Sequence, residues 1–143
     1  MRHGTTVLIV EDNDILREAL RDLVEALRPS WIVVEAANGL QGIEMVQENH
    51  PDVIVLDFNM PVMNGYEMAL HLQQRPETRQ IPLILNSSED VDNPFIVRLR
   101  AMSHAVLHKP FSCHDLEAVL TNVFAKSTGT YPERRAAMQA IPA

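Results

Sequence analysis

Cysteine is almost absent: Cys113 is the single one in 143 residues, so no intramolecular disulfide can form. The core alone must hold the fold, and a reducing, cytoplasmic setting suits it. Long apolar runs are also missing. The first, Val7-Leu8-Ile9-Val10, is closed by Glu11-Asp12, and no segment approaches the roughly 20 apolar residues of a membrane helix. The start, Met1-Arg2-His3-Gly4-Thr5-Thr6, shows neither the apolar centre nor the small-residue cleavage site of a leader. Clustered positive charge is lacking too. The net charge is −7 and the arginines are dispersed, with Arg98/Arg100 and Arg134/Arg135 as the close pairs. A nucleic-acid surface needs a basic face, so that class is excluded. There is no internal repeat and no low-complexity tract.

Apolar residues make up 46% of the chain, in a length that suits one domain. A chain of this size buries roughly two-thirds of its unfolded surface and needs no staples. Two patterns alternate along it. Short continuous apolar runs read as buried strands: Val7–Val10, Trp31–Val34, Val53–Leu56 finishing at Asp57, Ile81–Leu85 with Pro82 near its start, and Ala105–Leu107. Between them, helical spacing is carried by Ile15, Leu16, Ala19, Leu20, Leu23 and Leu27, then by Leu40, Ile43 and Val46 after the turn Asn38-Gly39. Further helices run through Met68, Ala69 and Leu72, through Ile96 and Leu99 to Met102 behind the cap Asn93-Pro94, and through Leu116, Val119, Leu120 and Val123. Five strands alternating with five helices predict a doubly wound α/β fold, a parallel sheet covered on both faces. Residues 1–126 are expected to form this domain. Residues 127–143, rich in Ala, Pro and Thr, are expected to be a short tail, too short for an output domain.

Ligands in such folds sit at the carboxyl ends of the strands. Those ends carry Glu11 and Asp12, then Asp57, then Ser87 and Ser88, then Lys109. Taken singly, each has an ordinary explanation. Glu11-Asp12 could cap a helix, Asp57 and Ser87 could be turn residues, and Lys109 could be a solvated surface charge. Their joint placement is what matters. Three carboxylates in one crevice repel unless a cation neutralises them, and hard oxygen ligands suit Mg2+. A lysine adds a point charge for a phosphate oxygen, and a serine adds a donor. These are the parts of phosphoryl transfer: nucleophile, metal, cation and positioning donor.

The ordered set resembles the receiver domain of two-component response regulators. It is carried by Val7-Leu8-Ile9-Val10-Glu11-Asp12, by Asp57-Phe58-Asn59-Met60-Pro61-Val62-Met63-Asn64-Gly65, by Ile81-Pro82 running to Ser87-Ser88, and by Lys109-Pro110-Phe111. It covers Thr6 to Phe124. The resemblance implies a flavodoxin-like sheet of strand order 2-1-3-4-5 and a stand-alone response regulator. It implies Asp57 as phosphoacceptor. Asp12, Asp57 and the backbone carbonyl of Asn59 become direct magnesium ligands, and Glu11 acts through water. Ser87 and Ser88 would bind the phosphoryl group and Lys109 would pair with Asp57 at rest. Pro110 falls where a cis peptide is common, and Asn59 and Glu89 would tune dephosphorylation. The implied partners are a histidine kinase or phosphotransfer protein and a downstream protein, met through the face of the fourth helix, fifth strand and fifth helix by a monomer or weak dimer.

The sequence departs from the family pattern at four points. Glu11 replaces the first of a more usual Asp pair, and Ser87 stands where threonine is also frequent. Met102 replaces a glycine that would close the fourth helix, which predicts an irregular end there. Val106 occupies the switch position normally held by Tyr or Phe, so readout is expected to run through the loop after Ser87 and the fourth helix. Two alternatives are a phosphorylation-independent interaction module and an aspartyl-nucleophile phosphatase. The complete acidic set argues against the first. Asn59, which cannot protonate a leaving group as a carboxylic acid does, argues against the second. No enzymatic turnover is expected beyond self-phosphorylation and its reversal. His104, His108 and His114 span a strand and a helix start, not one face, and predict no metal site.

Overall fold

β-Branched residues are frequent in the strands, and the three inner strands are buried almost throughout. The computed structural model describes residues 4–88 and 93–125. Its strands are β1 (Thr6–Val10), β2 (Ile32–Ala36), β3 (Val53–Asp57), β4 (Leu83–Ser87) and β5 (Ala105–His108). All pair in parallel in the order β2-β1-β3-β4-β5, as the sequence implied. β3 and β4 are buried throughout.

The helices are α1 (Asp14–Leu27), α2 (Gly39–Asn49), α3 (Gly65–Gln73), α4 (Pro76–Arg79), α5 (Pro94–Met102) and α6 (Cys113–Ala125). Among the described residues there are thus six helices, against five expected from periodicity. The extra one, α4, is a single turn opened by Pro76 at its first position. It is too short to show a period. The helices named fourth and fifth from the sequence are therefore α5 and α6. β2 and β4 also end later than their apolar runs. Ser87 is the last residue of β4, and Pro82 stays outside the strand while its carbonyl accepts the Ile54 N–H at 3.0 Å.

Asparagine starts most of the long helices. Asn13, Asn38, Asn64 and Asn93 cap α1, α2, α3 and α5 through side-chain oxygens, the preferred chemistry for orphan N–H groups. At α3, Glu67 returns a bond to the Asn64 N–H at 3.0 Å, completing a capping box. The end of α5 differs from the glycine pattern as anticipated: Ser103 is extended and not left-handed. Its N–H bonds the Arg100 carbonyl at 3.1 Å and its hydroxyl the Leu99 carbonyl at 2.7 Å. A serine thus closes the last turn where Met102 cannot adopt the usual cap.

The two faces of the sheet carry separate cores. α1 and α6 cover Val7, Ile9, Val53, Val55, Ile84 and Leu107 with Leu20, Val24, Leu116 and Leu120. α2, α3 and α5 cover Leu8, Val10, Ile54, Leu56 and Leu85 with Val46, Met68, Ile96 and Leu99. Trp31 closes the first core at its far end, edge-on to Phe124 at 5.4 Å.

The loop from β3 to α3 is tightly built. Gly65 donates its N–H to the Phe58 carbonyl at 2.9 Å, and a Cβ there would collide with the Asp57 carbonyl. Val62 sits at φ 70°, with 76% of its surface exposed, in a three-residue turn closed by Met63 N–H to the Pro61 carbonyl at 2.7 Å. Positive φ strains a β-branched residue. Val62→Gly is therefore expected to stabilise the domain by about 1 kcal/mol, net of glycine's greater unfolded-state entropy. Urea unfolding checks this; equal or lower stability would show that the turn is not strained.

Candidate functional site

The strand order reverses between β1 and β3, which opens a crevice beyond their carboxyl ends. Glu11 continues β1 by one residue, its N–H bonding the Ala36 carbonyl at the end of β2 at 3.0 Å. Arg17, one turn into α1, locks this corner. It donates to the Glu11 carbonyl at 2.7 Å, to Glu35 at 3.0 Å and to Asp14 at 2.6 Å. The Glu11 side chain is buried and accepts the Asn13 N–H at 3.2 Å.

Glu11, Asp12 and Asp57 each offer a carboxylate oxygen, all within 4.8 Å of one another. Glu11 and Asp57 are buried, whereas Asp12 is exposed at the rim. Lys109 reaches over the crevice from the end of β5. Its Nζ lies 3.1 Å from Glu11 Oε1 and 3.4 Å from Asp57 Oδ1. The lysine expected to pair with Asp57 is therefore shared, and sits nearer to Glu11. Its backbone N–H bonds the Ser87 carbonyl at 3.0 Å, which ties β4 and β5 together beside the site. The following Lys109–Pro110 peptide is cis.

Charge balance follows from these distances. Burial, and then the charge of Glu11, push the Asp57 carboxyl up to about 6, against the opposing pull of Lys109 and the Phe58 N–H. Two acids share one cation, so the site is short of positive charge. The donor set is hard oxygen throughout, which fits a small divalent cation. Among the described residues these three acids are the single group able to hold a metal ion; His104, His108 and His114 form none.

A pH dependence follows. The folded pKa of Asp57 lies above its ordinary value of 3.8, so the metal-free folded state binds more protons than the unfolded state between these values. Its stability falls as pH rises through that window and levels off above about 6. A metal needs the ionised form. The affinity of the acidic cluster for a divalent cation is expected to be constant at neutral pH and to fall about tenfold per unit below the folded pKa. Magnesium-dependent shifts in Tm at a series of pH values check this; a shift independent of pH would contradict it.

The other residues singled out in the sequence lie as follows. Ser87 is buried at the end of β4; Ser88 and Asn59 are exposed beside the crevice. Val106 is half-buried on β5 and packs into the core under α5. Glu89 lies outside the described residues, as does the tail from 127 onward. Two residues were not singled out. Arg17 read as an ordinary helical charge. Asn86 pairs in register with Asp57 across β3 and β4 and is 1% exposed. Strand alternation puts both side chains over α1 and α6, the side on which Val55 and Ile84 lie. The signal for Asn86 was available: it interrupts the apolar run Leu83-Ile84-Leu85 before the strand ends.

Fold and site together define a doubly wound α/β domain with an acidic, lysine-capped crevice at the switch point of its sheet. The profile of the response regulator receiver domain matches residues 7–121, and the chain belongs to that family, the receiver component of two-component signalling. It is 38% identical over 88 residues to the nitrate/nitrite response regulator protein NarL of Escherichia coli strain K12, covering 60% of this chain and 41% of that one. It is 35% identical over 79 residues to the polar-differentiation response regulator DivK of Brucella ovis, covering 55% of this chain and 63% of that one. The chain thus spans less than two-thirds of the length of either relative. It superposes on the receiver domain of sensor histidine kinase PA1611 from Pseudomonas aeruginosa PAO1 with a TM-score of 0.74 and 24% identity, covering 82% of this chain and 95% of that one. That structure has a magnesium ion coordinated in its active site cleft. No described helix is long and apolar enough to cross a membrane.

Proposed function

We propose that Asp57 accepts a phosphoryl group from a histidine kinase or phosphotransfer protein, and that the domain signals by protein contacts or by passing the group on. The observation that carries this reading is the carboxylate cluster within 4.8 Å, bridged by Lys109. Above a pH of about 6 the Asp57 carboxylate is ionised. One of its oxygens forms a bond to phosphorus while the bond from phosphorus to the donor's imidazole nitrogen breaks. The bonding pair returns to the ring, and the product is an aspartyl phosphate. Lys109 moves its charge from Asp57 onto a phosphoryl oxygen, and the Ser87 hydroxyl donates to another, with Ser88 beside it.

Asp12, Asp57 and the Asn59 carbonyl would hold Mg2+, with Glu11 acting through a water. The ion supplies charge neutralisation for the transferring group. Asn59 and Glu89 tune the lifetime of the phosphoryl group. The domain is no enzyme towards other substrates; it promotes only its own phosphorylation and dephosphorylation. Its downstream partner meets the α5–β5–α6 face of a monomer or weak dimer in the cytoplasm.

Because Val106 replaces the switch aromatic, the signal passes through the segment after Ser87 and through α5. Beryllofluoride with magnesium, a stand-in for the phosphoryl group, tests both statements by NMR. Saturable binding with shifts at Ser87, Ser88 and along α5 is expected. Absence of binding would remove the phosphoacceptor reading. Binding without shifts in α5 would remove the proposed route alone.

A further inference from the structure

One side chain behind the acidic crevice makes more bonds than its place on a helix requires. Arg17 uses all three guanidinium nitrogens on three different partners. Nη1 donates to the Glu11 carbonyl at 2.7 Å, Nε to Glu35 Oε1 on β2 at 3.0 Å, and Nη2 to Asp14 Oδ1 at 2.6 Å. The Asp14 bond is an i,i+3 pair whose acid is 85% exposed, and such surface pairs contribute little. The other two bonds are more telling. Glu35 is also held by a second arginine, Arg21, so the Arg17 head is anchored from β2. Only 17% of the Arg17 side chain is exposed, a setting in which charge-assisted bonds are strong.

The Glu11 carbonyl needs such a partner. Val10 is the last residue of β1 in register with β2 and β3, so the sheet holds the Glu11 N–H but not its carbonyl. That carbonyl belongs to the peptide leading into Asp12. Asp12 is exposed at the rim, so packing does not aim its carboxylate; the backbone beneath it does. A rotation of the Glu11–Asp12 peptide would carry that carboxylate away from Glu11 and Asp57, which now lie within 4.8 Å of it.

We infer that Arg17 is a positioning residue for the cation held by this cluster: it pins the Glu11–Asp12 peptide from the side of β2 and so presents the Asp12 carboxylate. The inference rests on the proposed magnesium site and adds to it a residue outside the ligand set. The expected sign separates this role from a charge effect. Arg17 is a positive charge beside a cation site, and charge alone would make its removal tighten magnesium binding. Positioning makes its removal weaken binding.

Magnesium titration of the full chain, followed by amide NMR, tests this with three variants. Arg17→Gln is expected to weaken magnesium binding about tenfold, the usual scale for losing a group that orients a ligand. Arg17→Lys keeps the charge but not the planar fork, and its affinity should fall between wild type and Arg17→Gln. Arg21→Gln also removes a positive charge bonded to Glu35, but no bond to Glu11, and should not weaken binding. Urea unfolding without metal checks that each variant folds; should Arg17→Gln not fold, Arg17→Lys carries the comparison. Arg17 variants that bind magnesium as tightly as wild type or more tightly, or a loss in Arg21→Gln equal to that in Arg17→Gln, would overturn the positioning role while leaving the magnesium site standing. A wild-type chain with no saturable magnesium binding would remove the site and this role with it.

Discussion

Asp57→Asn is expected to abolish phosphoryl uptake from acetyl phosphate and, at neutral pH without metal, to make the domain more stable. The two effects have one cause. Asp57 is 7% exposed and lies beside Glu11, and its carboxyl is pushed up to about 6 by burial and that neighbouring charge. Ionising it at neutral pH costs folding free energy. Asparagine keeps the shape and removes the charge, so a gain of about 1–3 kcal/mol is expected in metal-free buffer. The gain should shrink as pH falls below about 6 and vanish only near the ordinary value of 3.8, where the unfolded aspartate is also neutral. It should also shrink with magnesium, which in the proposed site stabilises the wild type and binds the variant poorly. Urea unfolding with and without magnesium measures this. A variant less stable than wild type in both buffers would mean that the Asp57 charge is fully satisfied without metal.

Lys109→Gln should act in the opposite sense. The lysine stands 3.1 Å from Glu11 and 3.4 Å from Asp57, and only 16% of its side chain is exposed. Removing it leaves two buried carboxylates with no facing cation. Breaking a buried pair costs about 3–5 kcal/mol; partial contact with water places this one near the lower end. The loss should be largest above a pH of about 6, where Asp57 is ionised, and smaller below it, where protonation of Asp57 relieves the repulsion. Magnesium should restore part of it by supplying the missing charge. Phosphoryl uptake should fall with it, since no other described cation approaches Asp57. A destabilisation independent of both pH and magnesium would identify Lys109 as a packing residue only.

The strands were legible because each carries a continuous apolar run, whereas their order followed from the resemblance to the receiver family and not from the runs themselves. Asn93-Pro94 stood out as a cap and Asn38-Gly39 as a turn, whereas the capping by Asn13 and Asn64 and the lack of room for a side chain at Gly65 depend on the folded backbone. The site was readable only as a set, since no single acid distinguishes itself from a cap or a turn. What escaped was set by contacts distant in sequence or by elements too short to show a period. α4 is one turn. An end to α5 without glycine was expected, but its closure by Ser103 bonding back to Leu99 was not. Sharing of Lys109 between Glu11 and Asp57 depends on how β1, β3 and β5 converge. Asn86 was visible as a polar break in β4, but that its side-chain oxygen finds no partner among the described residues shows only in the fold.

Intact mass after incubation with acetyl phosphate, with and without magnesium, followed by mapping of the modified peptide, tests the central claim most directly. A single added phosphoryl group that requires magnesium and maps to Asp57 is the predicted result. Modification that persists in Asp57→Asn, or a mass unchanged under every condition, would contradict it.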